Sequence, residues 1–227
     1  MPFSKKLPFY FLFPLLLASL ITMFFVLEKT IWPGFQNFGI YPRQIKGIKG
    51  ILTGLFIHQN VLHWFNNIMS FLIMSSLLYY IHPNKAWKII IYGSFLSGAL
   101  TWLIGRPAMH IGMSGLNYVL FSFLLFTGFF SKDIRLTAIS FILIFLYGGL
   151  IWLLFPVIEN ISWEAHLSGF LTGIFFTYLY LPQINANYLI EKKEVNIPPE
   201  DDFMLCFDDF GNFIEKNTSE NKIIENS

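Results

Sequence analysis

Charge is what this sequence has least of. Asp, Glu, Lys and Arg make up 13% of its 227 residues, against roughly 25% in soluble domains, and the shortfall is filled by a hydrophobic share that exceeds an ordinary core. That share is 55%, with 19% aromatic. Cysteine is nearly absent as well. Cys206 stands alone, which excludes an intramolecular disulfide and any CxxC metal or redox motif. The net charge of +1 is scattered over short loops, and the lack of a basic stripe argues against a nucleic-acid partner. Strict two-residue alternation is missing too, so the long apolar runs read as helices rather than as strands of a membrane barrel.

What is present is a series of apolar runs of membrane length. A bilayer core about 30 Å thick takes about 20 residues of helix, and the sequence predicts six such spans: Leu7–Leu27, Val61–Ile81, Trp87–Ile104, Ser114–Phe130, Leu136–Phe155 and Trp163–Leu181. The expected fold is all-α, a polytopic six-transmembrane-helix bundle embedded in the lipid bilayer. The first run follows Lys5 and Lys6 and is too long for a signal-peptide core, with no A-x-A-like site behind it, so it is read as an uncleaved helix. The connection Glu28–Asn60 is rich in Gly, Pro and aromatics and too apolar for a free linker, which suits the membrane interface. Two regions are expected: a membrane domain over 1–182, and a polar, acidic C-terminal tail over 183–227, soluble and partly disordered. Lys5, Lys6, Lys85, Lys88, Lys132, Arg135, Lys192 and Lys193 outnumber Lys29, Arg43, Lys46, Lys49 and Arg106 on the opposite side, which places both termini in the cytoplasm.

With that threading the second, fourth and sixth spans start on the same face, and each carries polar groups at its start. His58 precedes the second span, which holds His63 and Asn67; the fourth opens Gly112-Met113-Ser114-Gly115; the sixth has His166 in its first turn. Helical spacing puts His63 with Asn67 on one face, Ser114 with Tyr118 on another, and His166, Gly169 and Gly173 on a third. Gly169 and Gly173 form a small-xxx-small pair that admits a close neighbouring backbone. Serine in a membrane helix commonly bonds its own backbone, and Tyr118 is as readily a core residue. An intramembrane histidine, being costly to bury, points to function. His82 and His110 read as loop histidines.

These residues carry a pattern. Gly112-Met113-Ser114-Gly115-Leu116-Asn117-Tyr118 matches GxSGxxY, Ala165-His166-Leu167-Ser168-Gly169 through Gly173 matches AHxxGxxxG, and His58, His63 and Asn67 match HxxxxHxxxN. In that order, over roughly Gly39 to Leu181, the chain resembles the rhomboid family of intramembrane serine proteases. The resemblance implies a six-helix bundle in a bacterial cell membrane that hydrolyses peptide bonds in membrane-protein substrates. It implies Ser114 as nucleophile, His166 as general base in a Ser-His dyad, and Tyr118 packed on the imidazole to orient it. Asn67, His63 and the Ser114 backbone N–H become the oxyanion donors, with His58 in support. No cofactor and no metal is implied. The Trp-Arg pair that many members carry in the first loop is not found, and His82, Pro83 and Asn84 stand where some bacterial members have an acidic cap.

Other classes fit less well. Without HExxH or GxGD the sequence lacks the ligands and carboxylates of zinc and aspartyl intramembrane proteases. A transporter predicts broken helices and an inverted repeat, and neither is seen. The remaining alternative is a non-catalytic rhomboid-like protein that binds client transmembrane helices.

Overall fold

The computed structural model describes residues 7–32, 34–158, 161–195 and 213. Six long helices organise them: α1 (Leu7–Thr30), α2 (Val61–Ile81), α3 (Ala86–Ile104), α4 (Ser114–Phe130), α5 (Ile134–Tyr147) and α6 (Trp163–Val195). Five stretches are long and apolar enough to cross a membrane: Leu12–Thr30, Val61–Ile81, Ala86–Ile104, Ile134–Leu154 and Trp163–Ile190. The helix Ser114–Phe130 is apolar but shorter. The chain falls into two compact units, Met1–Asn185, which holds the bundle, and Ala186–Ser227, whose described residues are the last turns of α6 and Phe213.

Local chemistry sets the helix starts. The Asn60 side chain accepts the His63 N–H at 2.8 Å, and the Asp133 side chain accepts the Arg135 N–H at 2.9 Å. Each satisfies one of the donors that a first helical turn leaves unpaired. Before α4 the chain reverses at Gly112, whose φ of 102° is a left-handed conformation that side-chain-bearing residues rarely adopt.

α4 is the axis of the bundle. It packs against α2, α3 and α5, and Val119, Leu120, Phe121 and Phe123 are inaccessible to solvent. A helix apolar on every face belongs in such a position. Its 17 residues reach only about 25 Å at about 1.5 Å per residue, less than the bilayer core. The outer helices spend their apolar residues on the other side: Phe141, Phe145 and Tyr178 are largely exposed, as a lipid-facing surface requires.

Two helix starts move by one or two residues, to Ala86 and Ile134, and three helix ends differ from the sequence expectation. α1 continues three residues past Leu27 to Thr30; Glu28 there is buried while Lys29 and Thr30 are exposed, so the helix outlasts the apolar run that the hydropathy reading followed. The fifth span ends as α-helix at Tyr147 and finishes as a 3-10 helix over Gly148–Leu154. α6 runs through Pro182 to Val195, so the first residues assigned to the tail are helical. Proline removes one N–H and leaves the Tyr178 carbonyl without its i+4 donor, a cost a long helix absorbs without ending. Apart from Phe213, the rest of the expected tail, Cys206 included, and Lys5 and Lys6 lie outside the described residues.

The connection from α1 to α2 is folded. It contains helical turns at Phe35–Phe38, Ile45–Ile48, Gly50–Thr53 and Gly54–Phe56, and Ile40 pairs with His110 as an isolated antiparallel bridge. This bridge ties the loop to the segment leading into α4.

Candidate active site

The starts of α4 and α6 meet backbone to backbone. A Cβ on Gly169 would collide with the Gly115 carbonyl oxygen and stand 2.9 Å from Tyr118 Cβ. A Cβ on Gly173 would run into the Ser122 hydroxyl and the Val119 carbonyl oxygen. The small-residue face of α6 is therefore filled by α4, and His166 sits one turn before Gly169 while Ser114 immediately precedes Gly115.

His166 is 7% exposed and held from two directions. Its ring stacks on Tyr118 with centroids 4.4 Å apart and an interplanar angle of 19°. Its Nδ1 lies 2.9 Å from the Leu153 carbonyl oxygen. A carbonyl only accepts, so Nδ1 carries the proton and Nε2 is left with the lone pair. Tyr118 is itself anchored, its hydroxyl donating to the Leu150 carbonyl at 2.7 Å. Both acceptors belong to the 3-10 turn that ends the fifth span.

Ser114 differs from most serines and threonines buried in the bundle, Thr127 being another hydroxyl without a partner. Ser122, Ser168 and Thr172 donate to the carbonyl four residues earlier in their own helices, at 2.7–2.8 Å. Ser114 opens its helix and has no such carbonyl. Its half-buried Oγ makes no hydrogen bond among the described residues, to His166 or otherwise, and His166 Nε2 makes none either. Catalytic hydrogen bonds are often long or unformed before substrate arrives.

The α2 residues gather at the same turn. The His63 ring lies over Gly112, where an added Cβ would stand 2.8 Å from Cε1 and 2.9 Å from Nε2. His58 is fully buried, its ring 5.2 Å from that of His63. Its Nε2 stands 3.5 Å from the Met113 N–H, at the limit of an acceptor contact. Burial, aided by the charges of His63 and Lys29, lowers its pKa to about 3, which keeps it neutral and able to accept. Asn67 donates one amide hydrogen to the His63 carbonyl at 2.9 Å.

Two participants were passed over in the sequence. Asn117 Nδ2 donates to both Oδ1 and the backbone carbonyl of Asn67, each at 3.0 Å. Its position three residues after Ser114, as the one amide in an apolar helix, was the available signal. Glu164, two residues before His166, is the nearest carboxylate in sequence and is 2% exposed. It turns to Arg106 instead, accepting that residue's backbone N–H at 3.2 Å and pairing with its Nε at 3.6 Å. His110 is in a loop as expected, yet buried, within hydrogen-bond reach of the Ser162 hydroxyl. His82 caps the end of α2, well away from this cluster in the chain.

A helical membrane bundle with this cluster at three helix starts defines a class, and sequence comparison agrees with it. The family model described as Rhomboid domain matches residues 46–183, more than half of the chain, and the chain belongs to the rhomboid family. Uncharacterized proteins of Mycobacterium tuberculosis and Mycobacterium bovis are 32% identical to it over 151 residues, 62% of this chain and 62% of the relative. One of Mycobacterium leprae is 27% identical over 173 residues, 71% of this chain and 67% of the relative. The matched stretch thus spans less than two thirds of the first two relatives.

Proposed function

We propose that this rhomboid protein is an intramembrane serine endopeptidase of the bacterial cell membrane. It cleaves peptide bonds in or near transmembrane segments of other membrane proteins, with Ser114 as nucleophile and His166 as general base. In this reading the short α4 also crosses the membrane, bringing the spans to six, and both termini are cytoplasmic. The observation that carries the proposal is how His166 is held, stacked on Tyr118 with Nδ1 on the Leu153 carbonyl. A ring clamped by Tyr118 and with Nδ1–H committed to Leu153 presents Nε2 as a fixed base beside a helix whose first hydroxyl has no backbone partner.

The chemistry follows from those atoms. Nε2 takes the Ser114 proton as Oγ attacks the scissile carbonyl, then returns it to the leaving amine; water repeats the cycle on the acyl-enzyme. The negative oxygen of the tetrahedral intermediate needs donors, and the second Asn67 amide hydrogen, the His63 ring and the Ser114 backbone N–H are assigned to it. Removing one such donor typically costs about 2.7–4 kcal/mol. Arg106 holds Glu164, so the dyad works without a carboxylate on His166.

One observation favours the second reading, a non-catalytic protein that binds client helices: Ser114 and His166 share no hydrogen bond. Labelling with a fluorophosphonate decides between the two, since it requires an activated serine and no substrate. Wild type is expected to label and to cleave a model transmembrane substrate in detergent. Ser114→Ala and His166→Ala are expected to lose about 10⁴-fold or more of the turnover with the fold retained. Equal labelling of wild type and Ser114→Ala refutes the nucleophile.

A further inference from the structure

Among the described residues, the folded connection between α1 and α2 holds a feature that peptide hydrolysis leaves unused. From Ile45 to Thr53 the chain is helical through both short turns, Lys49 between them being in the right-handed region. Its three sides differ. Gly47 and Gly50 face inward, where an added Cβ would run into the backbone of Tyr41 and of Gly39. Ile45, Ile48 and Leu52 face outward, and Ile45 is 87% exposed. On the third side Lys46 reaches over the Tyr41 ring at 5.5 Å and Lys49 over the Phe38 ring at 4.1 Å.

Those two ammonium groups border a cleft of about 280 Å³ whose lining includes Asn37, Tyr41, Lys46, Lys49 and Met109. The cleft is built on fixed backbone. Arg43 donates its N–H to the Trp102 carbonyl at 3.1 Å and its guanidinium to the Leu103 carbonyl, also at 3.1 Å, and the Trp102 indole donates to the Gln44 carbonyl at 3.1 Å. Among the described residues no carboxylate lines the cleft.

We propose that this cleft binds the anionic headgroup of a phospholipid, with Lys46 and Lys49 on the phosphate and the acyl chains lying along Ile45, Ile48 and Leu52. Charge complementarity and the adjoining apolar stripe select this occupant. A free phosphate has no use for the stripe, and a net-neutral phospholipid carries beside its phosphate a cationic group that the two lysines repel. The aromatic rings beneath the ammonium groups hold both side chains over the cleft, so little conformational freedom remains to be lost on binding. A lipid held there docks the loop to the leaflet by a route that needs no Trp-Arg pair.

The test is retention of lipid by the full chain in native mass spectrometry, after purification in mixed micelles of phosphatidylglycerol and phosphatidylcholine. Wild type is expected to retain phosphatidylglycerol in preference. A surface lysine is worth about fivefold against an anionic membrane, so Lys46→Gln is expected to cut the preference about fivefold and the Lys46→Gln, Lys49→Gln double variant about 25-fold. Lys85→Gln with Lys88→Gln, at the far end of the bundle, is the control and is expected to leave the preference intact. No preference in wild type, or a preference that survives the double variant, overturns the proposal. Displacement of the lipid by millimolar inorganic phosphate also overturns it, by making the cleft a phosphate site. Since no turnover is read, the outcome is independent of Ser114.

Discussion

Gly169→Ala is the sharpest probe of how the site is assembled. The added methyl would stand 2.9 Å from Tyr118 Cβ and closer still to the Gly115 carbonyl oxygen, both on a neighbouring helix with no side chain to swing aside. Carbon atoms rest at about 3.5–4.0 Å, so α4 and α6 must part by about 1 Å at this level. Overpacking of this kind costs about 1–3 kcal/mol. The kinetic effect is expected to be larger than the structural one. The displacement falls between Ser114, next to Gly115, and His166, one turn from Gly169, and about 1 Å of misplacement between reacting groups is worth about 100-fold. Gly149→Ala is the matched control, because nothing lies within 4 Å of its added methyl. The assay pairs a thermal melt in detergent with the initial rate of substrate cleavage. Gly169→Ala is expected to lower both, the rate by far more than the stability accounts for, and Gly149→Ala neither. A Gly169→Ala protein that melts and cleaves like wild type refutes the claim that backbone contact sets the dyad spacing.

Two further outcomes are expected. Asn117→Ala is expected to lower kcat about tenfold or more at nearly constant KM, by freeing the Asn67 carboxamide; adding it to Asn67→Ala should cost almost nothing more, and additive losses in this double-mutant cycle refute the coupling. His58 supplies a pH dependence. Burial lowers its folded-state pKa to about 3 from the ordinary 6.5, so the unfolded chain takes up the proton first. Its contribution is whole above pH 6.5 and declines as pH falls from 6.5 toward about 3, on the order of 1 kcal/mol per pH unit. Melts at pH 7 and pH 5 are expected to differ more for wild type than for His58→Gln, and equal differences refute the assignment.

The sequence made some elements legible for physical reasons and hid others. Val61–Ile81 and Ser114–Phe130 appear with the boundaries read from the sequence, because Asn60 and the Gly112-Met113 step are local stop and start signals. The end of α6 was hidden, since the reading followed hydropathy, which marks where lipid ends and not where helix ends. Five of the six spans meet the length and composition of a crossing helix. The folded loop over Phe35–Phe56 was legible only as interfacial composition, as its turns depend on glycines meeting distant backbone. Within the candidate site the small-residue face of α6 and the placement of Tyr118 on His166 follow helix periodicity and the motif match. Asn117 and the turn that holds His166 do not, because their partners lie on other helices or are main-chain atoms.

That turn has an evolutionary consequence. Leu150 and Leu153 hold Tyr118 and His166 through carbonyl oxygens alone, groups that every residue type possesses. Replacement of either leucine by another apolar residue that keeps the packing and the backbone conformation leaves the anchor in place. The exposed positions of the segment, Ile151 and Trp152, are thus free to drift and adapt the lipid-facing surface to a different membrane while the paired rings stay registered to each other. Inheritance of the site here requires a shape, kept by the apolar residues that pack the turn onto the bundle, Leu150 and Leu154, and is indifferent to the rest.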